Sequence, residues 1–144
     1  MKKAVVIAVL LFGFSCKNQE VPSIVKGCRE IYDEAKTLQK MVGRWKYIAI
    51  GCAYCSKPGV QSVDENVEIL ITKERKITTF AGGVAVKTSD FFLENSYNEQ
   101  FFKMETVPFN ENTYTYGVIE LCQNELAFKN SYVDGGDYYF RKIE

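Results

Sequence analysis

The sequence predicts an all-β fold: an eight-stranded antiparallel up-and-down barrel preceded by one amphipathic helix. Three observations carry that expectation. From Gly43 onward apolar and polar residues alternate with a period of two, in eight runs rich in Val, Ile, Thr, Tyr and Phe. The breaks between runs are short and carry turn chemistry, which makes successive strands antiparallel neighbours rather than partners across a helix. Rings are plentiful, with 9 Tyr and 10 Phe in 144 residues, so there is bulk to fill a β interior. A chain of this length holds one domain.

The first residues do not belong to that domain. Lys2 and Lys3 form a basic start, and Ala4 to Phe12 form an apolar stretch of nine residues. As helix this stretch would span about 14 Å against about 30 Å of bilayer hydrocarbon, so it reads as a secretory signal rather than a membrane span. Gly13-Phe14-Ser15-Cys16 then resembles the lipobox of bacterial lipoproteins, with Gly13 where the usual pattern has Leu. The resemblance implies that residues 1–15 are removed and that Cys16 becomes the new N-terminus, carrying acyl chains such as palmitate. Residues 16–22 would then be a lipidated tether. Lys17, rather than Asp, directly after the cysteine implies retention at the outer membrane.

Ile24, Cys28, Ile31, Ala35 and Leu38 recur at spacings of three and four, which predicts an amphipathic helix over 23–40, with Pro22 at its start and Gly43 beyond its end. The predicted strands follow at 43–51, 66–72, 76–81, 84–94, 100–107, 113–121, 125–130 and 137–143. Lys57-Pro58-Gly59, Gly82-Gly83, Pro108 to Asn112, Gln123-Asn124 and Asp134-Gly135-Gly136 punctuate them. Only the first loop, 52–65, is long. Strands in meander order can close on themselves and remove their exposed edges, which favours a barrel over a two-sheet sandwich. The domain is thus expected to cover 23–144.

Gly43-Arg44-Trp45 opens the first strand directly after the helix and resembles the G-x-W motif of lipocalins. The resemblance spans about 41–144 and includes the aromatic last strand Tyr139-Phe140-Arg141, so the chain is similar to small lipocalin-like lipoproteins. It implies that Trp45 sits at the closed end of the barrel and that Arg141 packs across it as a cation–π pair. The helix here precedes the first strand, whereas better-known lipocalins carry theirs after the last. The lipid-binding triad of fatty-acid-binding proteins is not evident.

Beyond Cys16 four cysteines remain: Cys28, Cys52, Cys55 and Cys122. An even number in an exported chain points to structural disulfides. Cys28, on the apolar helix face, is expected to pair with Cys52 or Cys55 and staple the helix to the barrel, leaving the other for Cys122. The Cys52-Ala53-Tyr54-Cys55 spacing is also that of redox pairs and half zinc sites, but it ends a strand instead of opening a helix. The chain has no histidine, which removes Ser-His-Asp and Cys-His catalysis and His-ligated metal. Lys+Arg and Asp+Glu balance at 18 each, giving no electrostatic case for nucleic acid. The strand carboxylates alternate with apolar residues, as in Val67-Glu68-Ile69, the pattern of a solvated outer face. No catalytic residue, metal site or cofactor is expected.

Binding is the better expectation. If Trp45 faces inward, the two-residue period carries Tyr47 and Ala49 inward with it. Val67, Ile69 and Ile71, Phe102 and Met104, Leu126 and Phe128, and Tyr138 and Phe140 complete a candidate lumen for a small hydrophobic ligand. The alternative is a barrel filled by the same rings, serving as a non-catalytic structural or protein-interaction lipoprotein. Intact-mass analysis of the membrane fraction is expected to find a chain that begins at acylated Cys16. Cys16→Ala is expected to move the protein from the detergent phase to the aqueous phase on Triton X-114 partition.

Overall fold

The structure is a computed structural model and describes residues 21–52, 58–96, 101–107, 114–131 and 135–144. The leader, Cys16, most of the tether, Cys55 and Asp134 lie outside the described residues.

The barrel closes through β1 (Gly43–Cys52). One edge of β1 pairs with β9 (Asp137–Lys142) from Trp45↔Lys142 to Gly51↔Asp137. Its other edge is shared. The lower half pairs with β3 (Val67–Ile71), and the upper half pairs with β2 (Gly59–Ser62), a short strand within the segment expected to be loop. The meander continues through β4 (Lys76–Ala81), β5 (Val84–Ser96), β6 (Phe101–Val107), β7 (Gly117–Cys122) and β8 (Glu125–Lys129) back to β9. The ring is therefore eight antiparallel strands, β1 and β3 to β9, with β2 as a flap on β1. The 13 residues of β5 serve two partners, its first half pairing with β4 and its second with β6, the stagger that lets a sheet curl shut.

The predicted 23–40 helix does not form as one element. Ser23–Lys26 is a single 3₁₀ turn, and α1 spans only Glu34–Met41. Gly27, at φ 90°, ends the first turn in the left-handed region. Glu30 then bridges to Leu121 at the end of β7, its N–H donating to the Leu121 carbonyl at 2.8 Å. Asp33 starts α1 afresh by accepting from the Lys36 N–H at 2.8 Å. The expected apolar stripe is broken accordingly: Ile31 and Ala35 are exposed, while Ile24, Thr37 and Met41 are buried. Tertiary contacts outweigh a 3.6-residue pattern here.

The arm lies on the outer wall of β7 and β8, which is why both faces of those strands are buried. The Ile24 N–H donates to Glu125 at 3.1 Å, Ile24 packs with Cys122, Ala127 and Tyr139, and Arg29 pairs with buried Glu120 at 3.1 Å. Cys28 is bonded to Cys122 across 94 residues. This corrects the expected partner of Cys28, which was Cys52 or Cys55: the arm crosses the β7 end, whereas Cys52 lies at the opposite end of the barrel. Cys52 is itself disulfide-bonded.

At the closed end, α1 leads through Val42 into Gly43. Trp45 is fully buried and its indole N–H donates to the Met41 carbonyl at 2.7 Å. The cation over its ring is Lys142, at 5.2 Å, not Arg141. The register explains the exchange: Lys142 lies opposite Trp45, while Arg141 lies opposite Lys46 and reaches Glu125. Lys142 also donates to the Val42 carbonyl at 2.8 Å. Gly43 makes this possible, because a Cβ there would meet the Lys142 side chain at 2.6 Å and the Glu144 carbonyl at 2.5 Å, on a backbone at φ 138°. Replacing Cys28 and Cys122 together by Ser is expected to cost about 2–5 kcal/mol, toward the upper end for so long a loop, with the barrel circular-dichroism signature retained; urea unfolding checks it.

Candidate functional site

The candidate lumen residues fall largely together. Tyr47, Val67, Ile69, Ile71, Met104, Leu126, Phe128 and Phe140 lie in one buried interior cluster with Trp45, and Phe102 and Tyr138 pack against it half-buried. Ala49 does not join them. A β-bulge between Tyr47 and Ala49 shifts the strand by one residue against β9, so Tyr47 faces Phe140 whereas Ala49 faces Tyr139. Ala49 therefore sits in the outer cluster beneath the arm, and Ile50 takes the inward place. A period of two cannot see a bulge.

From the closed end upward the interior is occupied by side chains. Met41, Trp45, Ile69, Ile71, Met104 and Leu126 fill the lower part, all essentially without solvent exposure. Above them the rings touch in sequence. Phe128 meets Phe140 edge-on at 5.8 Å, Phe140 meets Tyr47 at 5.4 Å, and Tyr47 meets Tyr114 at 5.0 Å. Tyr138 closes the group, 5.5 Å from Tyr114 and 6.2 Å from Tyr47.

The upper tyrosines are the polar end of this stack. Tyr114 donates its hydroxyl to the exposed Glu65 at 3.1 Å. The phenol oxygens of Tyr47 and Tyr138 have no hydrogen-bond partner among the described residues. Burial, then the Glu65 carboxylate and the neighbouring phenols, hold the Tyr47 phenol far above its ordinary 10.0. Burial raises Tyr114 and Tyr138 in the same direction, with the Glu65 hydrogen bond adding to the effect on Tyr114. All three remain neutral donors at physiological pH. Tyr114 and Glu65 were not among the sequence candidates for the lumen. Tyr114 lies in a turn before β7 rather than in the expected strand, so strand parity carried no information about it.

A second polar group sits on the outer wall. Asp137, buried, accepts from the Asn130 and Ser131 N–H groups at 2.9 Å and pairs with Lys129 at 2.8 Å. Lys129 also donates to the Tyr139 hydroxyl at 3.0 Å. Burial works to lower Lys129, but Asp137 and Tyr139 outweigh it and raise it. Tyr139 and Asp137, with Gly51, Cys52, Gly59, Val60 and Ser131, border an open cleft of about 230 Å³. Parity could have placed Lys129, Asp137 and Tyr139 on one outer face, but nothing in their spacing says that face is covered.

Four of the strand carboxylates are ion-paired: Glu68 with Arg44, Asp90 with Lys76, Glu105 with Lys103 and Glu120 with Arg29. Among the described residues no group of three or more Cys, Asp or Glu is placed to hold a metal, and no helix is long and apolar enough to cross a membrane. No protein-family model, curated protein or solved structure matches the chain.

A phenol whose folded pKa is raised ionises first in the unfolded chain, so its burial costs stability once the pH exceeds the ordinary 10.0. Lys129, also raised, contributes below its ordinary 10.5 and loses that contribution as the pH climbs through the folded value. Both effects have the same sign. Tm is expected to fall steeply above pH 10.0, with tyrosinate absorbance appearing together with unfolding. Tyr47→Phe is expected to blunt that fall and to leave Tm at neutral pH nearly unchanged.

Proposed function

We propose that this protein is a non-catalytic lipoprotein of the bacterial envelope, exported and anchored through acylated Cys16. Its lipocalin-like barrel is a packed scaffold that meets another envelope protein rather than a carrier with an empty lumen. The observation that carries the scaffold reading is the unbroken ring contact from Phe128 through Phe140 and Tyr47 to Tyr114, above a lower interior already filled around Trp45. An acyl chain or other apolar guest would have to displace those rings, each worth several kcal/mol of core packing. The Cys28–Cys122 disulfide supports an oxidising compartment, as export requires. The leader and the Gly13-Phe14-Ser15-Cys16 segment support the anchor and, with Lys17, an outer-membrane address.

The carrier reading keeps one observation in its favour. Tyr47 and Tyr138 bring phenol oxygens with no hydrogen-bond partner among the described residues to the upper interior, beside the Tyr114–Glu65 hydrogen bond. A small apolar molecule with a polar head would find donors there.

Native mass spectrometry of the detergent-extracted protein, with N-phenyl-1-naphthylamine as fluorescent probe, separates the two. The wild type is expected to carry no co-purifying lipid beyond its covalent anchor and to leave the probe dark. Phe140→Ala, at a stability cost of about 3–5 kcal/mol, is expected to open a hole that the probe enters. Stoichiometric lipid or bright probe in the wild type would turn the assignment to the carrier.

A further inference from the structure

The closed end of the barrel is built from segments far apart in sequence. The β7–β8 turn lies beside the end of β9, where the Lys142 N–H donates to the Asn124 carbonyl at 2.8 Å. The β3–β4 turn reaches α1 through Arg75 and Glu34 at 2.6 Å. The arm is fixed to this same end by the Cys28–Cys122 disulfide, the Glu30–Leu121 bridge and the Ile24–Glu125 hydrogen bond. Ile24 is therefore held beside Glu125 at this end, and Cys16 is eight residues before it. Eight residues reach at most about 29 Å, so an acylated Cys16 keeps this end within one tether of the bilayer.

The surface at that end has the composition such a position favours. Val21, Val25, Ile31 and Ile143 are exposed, Ile31 at 62%. Lys26, Lys36 and Lys40 stand among them, exposed and without an ion pair among the described residues. Lys36 and Lys40 flank the Tyr32 ring at 4.9 and 5.7 Å. The acids of the arm are occupied internally. Glu30 accepts from the Gln123 N–H, Asp33 caps α1, and Glu34 pairs with Arg75. Glu74 and Glu144 lie on other segments of this end. Lysines with apolar neighbours and an aromatic ring suit a phospholipid interface, where the ammonium groups meet phosphates and the apolar tips enter the acyl boundary.

We propose that the closed end, through Val21, Val25, Ile31, Lys26, Lys36 and Lys40, seats directly on an anionic phospholipid surface and holds the open rim away from the membrane. The proposal rests on the anchor at Cys16 and adds an orientation to it. The barrel stands upright on its arm, and the β1–β2 and β4–β5 ends face a partner across the aqueous space. A purely flexible tether would leave the barrel free to tumble.

The experiment uses the full-length acylated protein in vesicles of phosphatidylethanolamine and phosphatidylglycerol containing bromine-labelled acyl chains. The single native tryptophan, Trp45, is fully buried and sets the background. Ile31→Trp places an indole on the closed end, and Val84→Trp places one at the opposite end, on the exposed start of β5. Bromolipid is expected to quench the Ile31→Trp signal at least twofold and to leave the Val84→Trp signal at background. The triple variant Lys26→Ser, Lys36→Ser, Lys40→Ser, combined with Ile31→Trp, is expected to lose most of that quenching. Acyl mass on Cys16 without quenching at position 31, or with equal quenching at 31 and 84, overturns the seating alone. Absence of acyl mass on Cys16 overturns the anchor, and the seating with it.

Discussion

The pairing of β1 with β9 is the constraint on which the rest depends. Without it the chain would be an open meander with two exposed edges, and its rings would have only one side to pack against. Closure is secured where the two strands meet at the closed end. Trp45 is clasped there by the Met41 carbonyl and by Lys142 from the opposite strand. The Lys142 ammonium also reaches the Val42 carbonyl, tying the last strand to the segment that leads into the first. Gly43 is required at this crossing because the backbone of Glu144 occupies the space a side chain would need. One residue without a Cβ allows strand, helix end and chain terminus to converge.

The arm solves a different problem. The outer wall of β7 to β9 carries Glu120, Glu125, Ala127 and Tyr139, a mixture neither polar enough to be left in water nor apolar enough to pair with another sheet. Laying residues 21–30 over it buries the apolar members. It also gives Glu120 a partner in Arg29 and Glu125 a partner in the Ile24 N–H. A buried carboxylate left alone would be costly, so the arm and the wall need one another. The disulfide converts this contact from a fraying terminus into a fixed part of the fold. It also fixes the arm to the closed end of the barrel.

The interior and the wall divide the polar chemistry of the molecule. Inside, the tyrosines of the upper barrel are held neutral by burial, and their hydroxyls are the only polar atoms the ring stack presents among the described interior residues. Outside, Lys129, Asp137 and Tyr139 form a satisfied network that binds β8 to β9 near the open end. The first arrangement leaves donors unspent and the second leaves almost none. A barrel packed around its own rings is rigid.

Most of the strand plan was legible in the chain. Alternation and turn residues located the eight barrel strands to within a few positions, and the same parity put Tyr47, Ile69, Met104, Phe128 and Phe140 on one side. These properties are local, because a strand with one buried face must alternate. What alternation could not contain were events that involve two distant segments. The bulge that turns Ala49 outward is a mismatch between β1 and β9. The choice of Lys142 over Arg141 is a matter of register between the same strands. The helical spacing of 24–38 was real as a pattern, but a bridge to Leu121 and a disulfide to Cys122 break it between the 3₁₀ turn and α1. Sequence determined which residues prefer the interior. Tertiary structure decided which strand each one faces, since that depends on pairings closed across the whole ring.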